Sequence, residues 1–320
     1  MRDLDAAWRE LEPWLAERET RRKVAVRKLT LGGGAGLAAG LVLALIVAGF
    51  GAPLPLILIL GALPAIGGLA WGGMAMSALH TEIKEGLNTR LAESFSLSYR
   101  RELASGPYFG AFRQHGLAPG GDRRSFEDHF SGQAHGADFE LYEAHIEERR
   151  RSKNRTYYVT VFRGVLIRIA FPRTIEGVTL VTRDKGMFNA LEGWAKKTFS
   201  GKKLERIGLV DPHFEKAFEV YGTDQVMARY LLTPSFMERL LRLETRLDGK
   251  NVRCVFDEDL SDGQGRGELL IVAETGNQFE PGSLFKPLDD RKRVERLHGE
   301  IVLIDEIIQT VLEPASFGNG

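Results

Sequence analysis

The sequence predicts an α+β protein: an N-terminal two-helix transmembrane hairpin followed by a cytosolic antiparallel-sheet domain with packed helices. Three observations carry this prediction. No Asp, Glu, Lys or Arg occurs between Lys28 and Glu82. From about Phe126 the apolar period changes from that of a helix to two. The strand-like runs then follow one another with short connections, an order that favours antiparallel pairing over a doubly wound parallel sheet.

The uncharged interval falls into two apolar blocks, 31–50 and 54–76, separated by Gly51, Ala52 and Pro53. The runs Leu31 to Phe50 and Leu54 to Gly73 are each one membrane thickness long, since 20 residues of helix rise roughly 30 Å. A buried helix pair of a soluble core is the competing reading, and two consecutive uncharged spans argue against it. Arg18, Arg21, Arg22, Lys23, Arg27 and Lys28 crowd the approach to the first block, and the connector carries no charge. Basic flanks stay inside, so the expected topology is multi-pass, with the N-terminus and everything after about Ser77 on the cytoplasmic side.

Within the first block, Gly32, Gly36, Gly40, Ala44 and Ala48 recur at every fourth position. That stripe suits close helix packing, either against the second block or against another copy of the chain as a homo-oligomer. The same glycines loosely match a dinucleotide fingerprint through Gly34, Gly36 and Ala39. However, no acid follows before Glu82 to hold a ribose. Pro64 is expected to kink the second helix or free a carbonyl.

Residues 1–30 form a basic, amphipathic helix on the spacing of Leu4, Trp8, Leu11 and Leu15, with Pro13 interrupting it. Residues 77–105 read as a juxtamembrane helical stalk, with Leu79, Ile83, Leu87, Leu91 and Phe95 at four-residue intervals. The α+β domain is expected over 106–315. Its strands include ADFELYEAHIEE, TYYVTVFRGVLIRIAF, GVTLVTRD and LERIGLV, and NVRCVFDED pairs with GELLIVAET across the polar loop SDGQGRG. Gly164 marks either a turn or a bulge. Met187, Leu191 and Trp194 suggest a helix, and Val294, Leu297, Ile301, Ile304, Ile308 and Leu312 a final one that crosses the sheet.

Chemistry-bearing residues are sparse. Equal totals of 43 basic and 43 acidic residues argue against a nucleic-acid binder. Cys254 is the only cysteine, which excludes an intrachain disulfide and a thiolate metal site. No cofactor is expected. Among seven histidines the tightest group is His129, His135 and His145, with Asp128 and Asp138 nearby. Polar strand residues facing solvent explain them as well as zinc does, so no metal is expected. Arg149, Arg150, Arg151, Lys153 and Arg155 fall between two strands as a basic hairpin tip, which could rest on an anionic membrane surface.

The segment YGTDQVMARYLLTPSF has the residues of a catalytic constellation but the grammar of a helix pair. Asp224 or Thr223 caps a short helix, and Thr233 with Pro234 opens a second. Arg229 is placed to pair with Asp224 or Glu219, while Tyr230 joins the apolar face. With its flanks, DPHFEKAFEVYGTDQVMARYLLTPSFMERL resembles the hallmark segment of the bacterial domain-of-unknown-function family 3137. The likeness extends from the membrane hairpin to the final helix, through FSGQAHGADFELYEAHIEE, FRGVLIRIAF and FEPGSLFKPL. The resemblance implies a membrane-anchored cytosolic α+β domain in a bacterium and brings no activity, substrate or catalytic residues. The favoured expectation is a membrane-anchored binding or scaffolding module that engages a protein, lipid headgroup or small ligand. The alternative is an enzyme of unrecognised type acting on a membrane-associated substrate.

Overall fold

The computed structural model describes residues 4–153, 155–171, 174–183, 204–209, 211–246, 249–259 and 266–312. The fold is α+β, with two long apolar helices ahead of an antiparallel nine-stranded sheet that carries helices. The chain divides into two units, Met1–Leu91 with Glu280–His298 and Ala92–Phe279 with Gly299–Gly320.

In the first unit, α1 (Leu4–Gly49) and α2 (Leu54–Ser94) run antiparallel. The basic helix and the first apolar block are one continuous helix. Pro13 lies inside it without ending it, because Leu11 and Leu15 on either side are buried and packing outweighs local propensity. The two backbones touch wherever side chains are smallest. A Cβ on Gly40 would lie 2.1 Å from the Gly61 carbonyl oxygen, and one on Gly36 would lie 2.3 Å from that of Pro64. Further down, Leu29 meets Gly72, the Trp14 ring meets Gly86, and Arg18 Nε donates to Glu82 at 3.0 Å. The segment from Glu280 to Asp290 also belongs to this unit and is fastened to the helices by Lys84, Arg22 and Glu19.

The helical stalk expected over 77–105 ends at Ser94. Ser96 adopts a left-handed conformation (φ 60°) that turns the chain out of the helix. Residues Leu97–Leu103 then form the edge strand β1, with alternating burial. The second unit continues with α3 (Phe109–Gln114), β2 (Arg123–Ala134), β3 (Ala137–Ser152), β4 (Arg155–Phe171), β5 (Thr179–Thr182) and β6 (Glu205–Arg206). There follow α4 (Pro212–Ala217), β7 (Glu219–Gly222), α5 (Gln225–Leu231), α6 (Pro234–Arg246), β8 (Lys250–Asp259), β9 (Arg266–Glu274) and α7 (Arg291–Leu312), which counts in the first unit as far as His298. The expected strand LERIGLV shrinks to two residues. The helix expected around Met187, Leu191 and Trp194 lies outside the described residues.

The sheet order is β1-β2-β3-β4-β9-β8-β5-β7-β6, with antiparallel pairing throughout. Both faces of its centre are buried. On one face Tyr142, Ala144, Ile146, Leu166, Leu270, Val272 and Val255 pack with Phe109, Phe112 and Leu117 from α3 and the loop after it. On the other, Phe256 packs against Phe236 of α6 with ring centroids 5.4 Å apart, and Phe130 against Phe279 at 4.8 Å. Ile301 and Ile308 of α7 line a shallow apolar cleft beside Phe130 and Phe139.

Gly164 is neither turn nor bulge. It lies in an unbroken ladder opposite Ala144 and Glu274, and the extra residue falls instead at Val161, between the pairs Ile146↔Phe162 and Glu147↔Thr160. What requires glycine is the approach of β9, since a Cβ here would lie 2.1 Å from the Ala273 carbonyl oxygen. Gly164→Val should therefore destabilise the sheet unit by on the order of 3 kcal/mol through backbone displacement. Denaturant unfolding of the full chain in mild detergent checks this, and an unchanged midpoint would contradict the contact.

Candidate functional site

One step along the strands from the apolar cluster of the first face, the side chains become polar. Glu140 of β3 stands opposite Arg168 of β4, and Glu268 of β9 opposite Asp257 of β8. The Arg168 guanidinium donates to Glu268 at 3.1 Å. At the β2 end, His129 Nε2 contacts Glu140 Oε2, and at the β8 end His115 Nε2 lies 3.6 Å from Asp257 Oδ2. Two imidazoles, three carboxylates and one guanidinium thus form a row across five strands, from β2 to β8. His129, Arg168, Glu268 and His115 are buried, and Glu140 and Asp257 are half-buried.

Local geometry explains how each residue reaches the row. His129 arrives through a bulge in β2, where Asp128 and His129 together face the stretch between Glu143 and Leu141. Asp128 is left-handed there (φ 53°) and accepts a 2.6 Å hydrogen bond from the Tyr99 hydroxyl. His115 caps the C-terminal end of α3. Tyr108, also left-handed (φ 52°), sets its ring 3.7 Å over the Arg168 guanidinium.

The row, with Tyr142 and Arg253 beside it, fastens the segment from Pro107 to Ala118 onto the sheet. The Tyr142 hydroxyl donates to the Pro107 carbonyl at 2.9 Å, Tyr108 covers Arg168, His115 meets Asp257, and Arg253 donates to the Leu117 carbonyl at 3.1 Å. Burial lowers the pKa of His115 to about 4, so at neutral pH its contact with Asp257 is that of a neutral ring. Burial and the charge of Glu140 push the Tyr142 hydroxyl far up, so it remains a hydrogen-bond donor and is never an anion. Among the described residues, His129 Nδ1 has no hydrogen-bond partner.

The residues singled out in the sequence lie elsewhere. Gly32, Gly36 and Gly40 face Gly68, Pro64 and Gly61 of α2, Ala44 meets Gly61, and Ala48 is exposed near the turn. Arg149, Arg150, Arg151, Lys153 and Arg155 are exposed at the tip of the β3-β4 hairpin. Asp224 caps α5, accepting from Val226 N at 2.7 Å and Met227 N at 2.8 Å, and Thr233 Oγ1 accepts from Phe236 N at 3.2 Å ahead of Pro234. Thr223 instead accepts from Val178 N, joining this corner to β5. Arg229 is exposed, and Glu219 takes Arg206 and the Tyr221 hydroxyl as its partners. Tyr230 is half-buried.

The histidine group does not converge. His129 contacts Glu140, His135 lies 3.0 Å from Asp305, and His145 lies 2.8 Å from the Thr160 hydroxyl. Among the described residues no three His, Cys, Asp or Glu side chains come together as a metal site.

Sequence reasoning passed over the row apart from His129. A signal existed in Arg168, the lone charge of VLIRIAF, and in Glu140 and Glu268, each two residues before an apolar side chain of the same strand face in FELYE and GELLIVAE. His115 offered none, since FGAFRQHG has no strand or helix period long enough to assign a face.

Comparison with known proteins places much of this sheet unit in a family. Residues 160–312 match the family model described as Protein of unknown function (DUF3137). That segment belongs to DUF3137. The DUF3137 match takes in most of β4 and everything after it to the end of α7, including Arg168, Asp257 and Glu268. It leaves out the helical hairpin and the strand pair around FSGQAHGADFELYEAHIEE. No curated protein matches the chain. Among solved structures, the chain is similar to the crystal structure of the mycobacterial trehalose monomycolate transport factor A, TtfA. That match has 11% identity and a TM-score of 0.31, and it covers 72% of this chain and 97% of that one. A likeness of that degree decides neither fold nor function.

The neutral His115 has a measurable consequence. As pH falls from about 6.5 to about 4, the unfolded chain binds a proton at this position that the folded chain refuses, so acid destabilises the fold. The contribution is absent above the unfolded pKa and grows to a loss of roughly 3 kcal/mol once pH reaches the folded one. His115→Leu should therefore flatten the acid side of the melting-temperature profile of the full chain. Parallel profiles for the two proteins would show that the ring is protonated in the fold.

Proposed function

We propose that the chain is a binding or scaffolding module anchored in a bacterial inner membrane, with its sheet unit on the cytoplasmic side. The outward surface of the helical hairpin carries this reading. Among the described residues, all exposed large apolar side chains except Val24, Tyr108, Tyr157, Val226 and Phe285 lie between Leu31 and Met74. The most apolar windows of α1 and α2 are only 17% and 6% buried, unlike a soluble core helix. Leaving sixteen such side chains in water would cost on the order of 20 kcal/mol or more. That exceeds the roughly 5–15 kcal/mol by which a domain is stable. A lipid environment removes the cost. The basic residues ahead of the first apolar block support the cytoplasmic orientation of both ends.

For the sheet unit, binding is favoured over catalysis because the polar row is engaged in fastening its own cover. The basic hairpin tip is the surface we assign to the anionic inner leaflet. Each exposed basic residue there can contribute about 1 kcal/mol at low salt.

Two measurements test the reading. The chain should stay with the membrane pellet after carbonate extraction, and a reporter active only in the periplasm should be silent when fused after Gly320. Release into the soluble fraction would overturn the anchor, and an active reporter would overturn the orientation.

The hairpin tip has its own test in the full chain reconstituted into vesicles. Trypsin cleavage at Arg149 to Arg155 should be slower on anionic than on neutral vesicles at low salt, and high salt should abolish the difference by screening. Equal rates on both vesicle types would remove the tip from the membrane.

A further inference from the structure

The segment from Glu280 to Asp290 contains Phe285, among the described residues the exposed large aromatic that neither the helical spans nor the sheet accounts for. Its side chain is 63% exposed, while its neighbour Leu284 is 4% exposed and Leu288 is fully buried. The exposure is imposed by the backbone, which is held on both sides. Before the apex, Glu280 receives Lys84 Nζ at 2.7 Å, and Arg293 donates to the carbonyls of Pro281 and Ser283. At the apex, Arg22 Nη1 donates to the Leu284 carbonyl at 3.1 Å. After it, Arg293 donates to the Pro287 carbonyl at 3.0 Å and Leu288 N donates to Glu19 Oε2 at 3.0 Å.

Glu19 and Arg22 themselves pair at 2.7 Å. The hydrogen bond from Arg22 lowers the Glu19 pKa, and Glu19 raises that of Arg22, so both clamps are charged at neutral pH. A strap so fixed presents Phe285 and Lys286 outward and keeps its own leucines inward.

The helices give the height of that apex. From Arg22 to Lys28, the last charge before the uncharged interval, α1 is continuous, and six residues of helix rise about 9 Å. The headgroup layer on each side of the hydrocarbon is roughly 5–7 Å deep. Measured from Lys28 the apex would lie just outside that layer, but the apolar skin of the hairpin reaches below Lys28 and lowers the hydrocarbon boundary toward the strap. Val24 is 49% exposed on α1 and Met74 73% exposed on α2. The pairing of Leu29 with Gly72 and of Arg21 with Glu82 brackets both at levels between Lys28 and the strap.

The surrounding charge has the sign of a lipid contact. Arg21, Lys23, Arg27, Lys28 and Lys286 are exposed around this level. Arg21 also bonds Glu82, Lys23 lies near Glu19, and Lys28 lies over the Trp71 ring. The acidic pair Asp289 and Asp290 falls on the descending side of the strap, beyond the point held by Glu19, and so on the side away from the span.

We propose that the strap apex, Phe285 with Lys286, is a membrane contact: it seats in the anionic headgroup layer beside the basic collar of α1. The inference rests on the membrane-anchored reading and adds a lipid contact to those of the two helices and the basic hairpin tip. An aromatic at the headgroup level with a basic neighbour is the pattern of an interfacial anchor. The clamps have already ordered the loop, so seating it costs little further conformational entropy.

Cys254 is the single cysteine and is fully buried, with its thiol pushed up by burial. Phe285→Cys therefore accepts one fluorescent label in the full chain. Leu45→Cys on the span and Val226→Cys on the sheet unit serve as lipid and water references. In vesicles of phosphatidylglycerol and phosphatidylcholine, a label at 285 should be quenched severalfold by lipids carrying a shallow nitroxide, and a label at 226 should not. Adding Lys286→Glu should reduce that quenching on the anionic vesicles and leave it unchanged on pure phosphatidylcholine.

If the label at 285 behaves like that at 226 while the label at 45 is quenched, this inference falls and the anchor stands. If the label at 45 is also unquenched, the anchor falls and this contact with it. A label at 285 that lipid nitroxides do not reach, but that is shielded from aqueous iodide, would assign the apex to a protein surface and overturn the lipid contact.

Discussion

The constraint on which the sheet unit depends is that its central strands have no solvent face. β4 is bonded to β3 along its length and to β9 over its second half, and Val165, Leu166, Ile167 and Ile169 are essentially inaccessible to water. A strand covered on both faces requires a layer on each, which explains why α3 with its loop lies on one side and α6 with part of α7 on the other. It also explains Gly164, where β9 joins the ladder so closely that no side chain fits between the backbones.

The polar row follows from the same constraint. Charges on a doubly covered strand cannot be solvated, so each needs a partner supplied by the fold. Arg168 obtains Glu268 and the Tyr108 ring, and His115 and His129 obtain carboxylates from neighbouring strands. Replacing a buried pair of this kind with apolar residues is often neutral or stabilising, whereas losing one partner costs about 3–5 kcal/mol. Such a row therefore contributes little net stability. It specifies which segment covers the face and in what position, because Pro107, Tyr108, His115 and Leu117 each meet a particular sheet residue.

The helical unit is organised on a different principle. In its apolar half, glycine packs closely against backbone, as Gly36 does against Pro64 and Gly40 against Gly61. In its charged half, Trp14 lies under the guanidinium of Arg18, and ion pairs such as Arg18 with Glu82 take over. The strap, with Glu19, Arg22, Lys84 and Arg293 around it, lies on the charged half. It contributes to the unit although more than 180 residues of sequence separate Leu288 from the end of α2.

The sequence by itself determined whatever depends on neighbours along the chain. Charge depletion marked the hairpin, period two marked β3, β4, β8 and β9, and capping residues marked α5 and α6 at Asp224 and Thr233. These features rest on spacing and local hydrogen bonds, which one stretch of residues contains in full. Tertiary structure decided the rest. Ser96 turned the expected stalk into an edge strand, because the ladder with β2 was there to receive it. FEPGSLFKPL became a strap held by Glu19 and Arg22, whose relevance no window around residue 285 could contain. The row from His129 to His115 draws on five strands and a helix cap. Each of its charges looks misplaced in its own segment, and only the register between strands brings it to a partner.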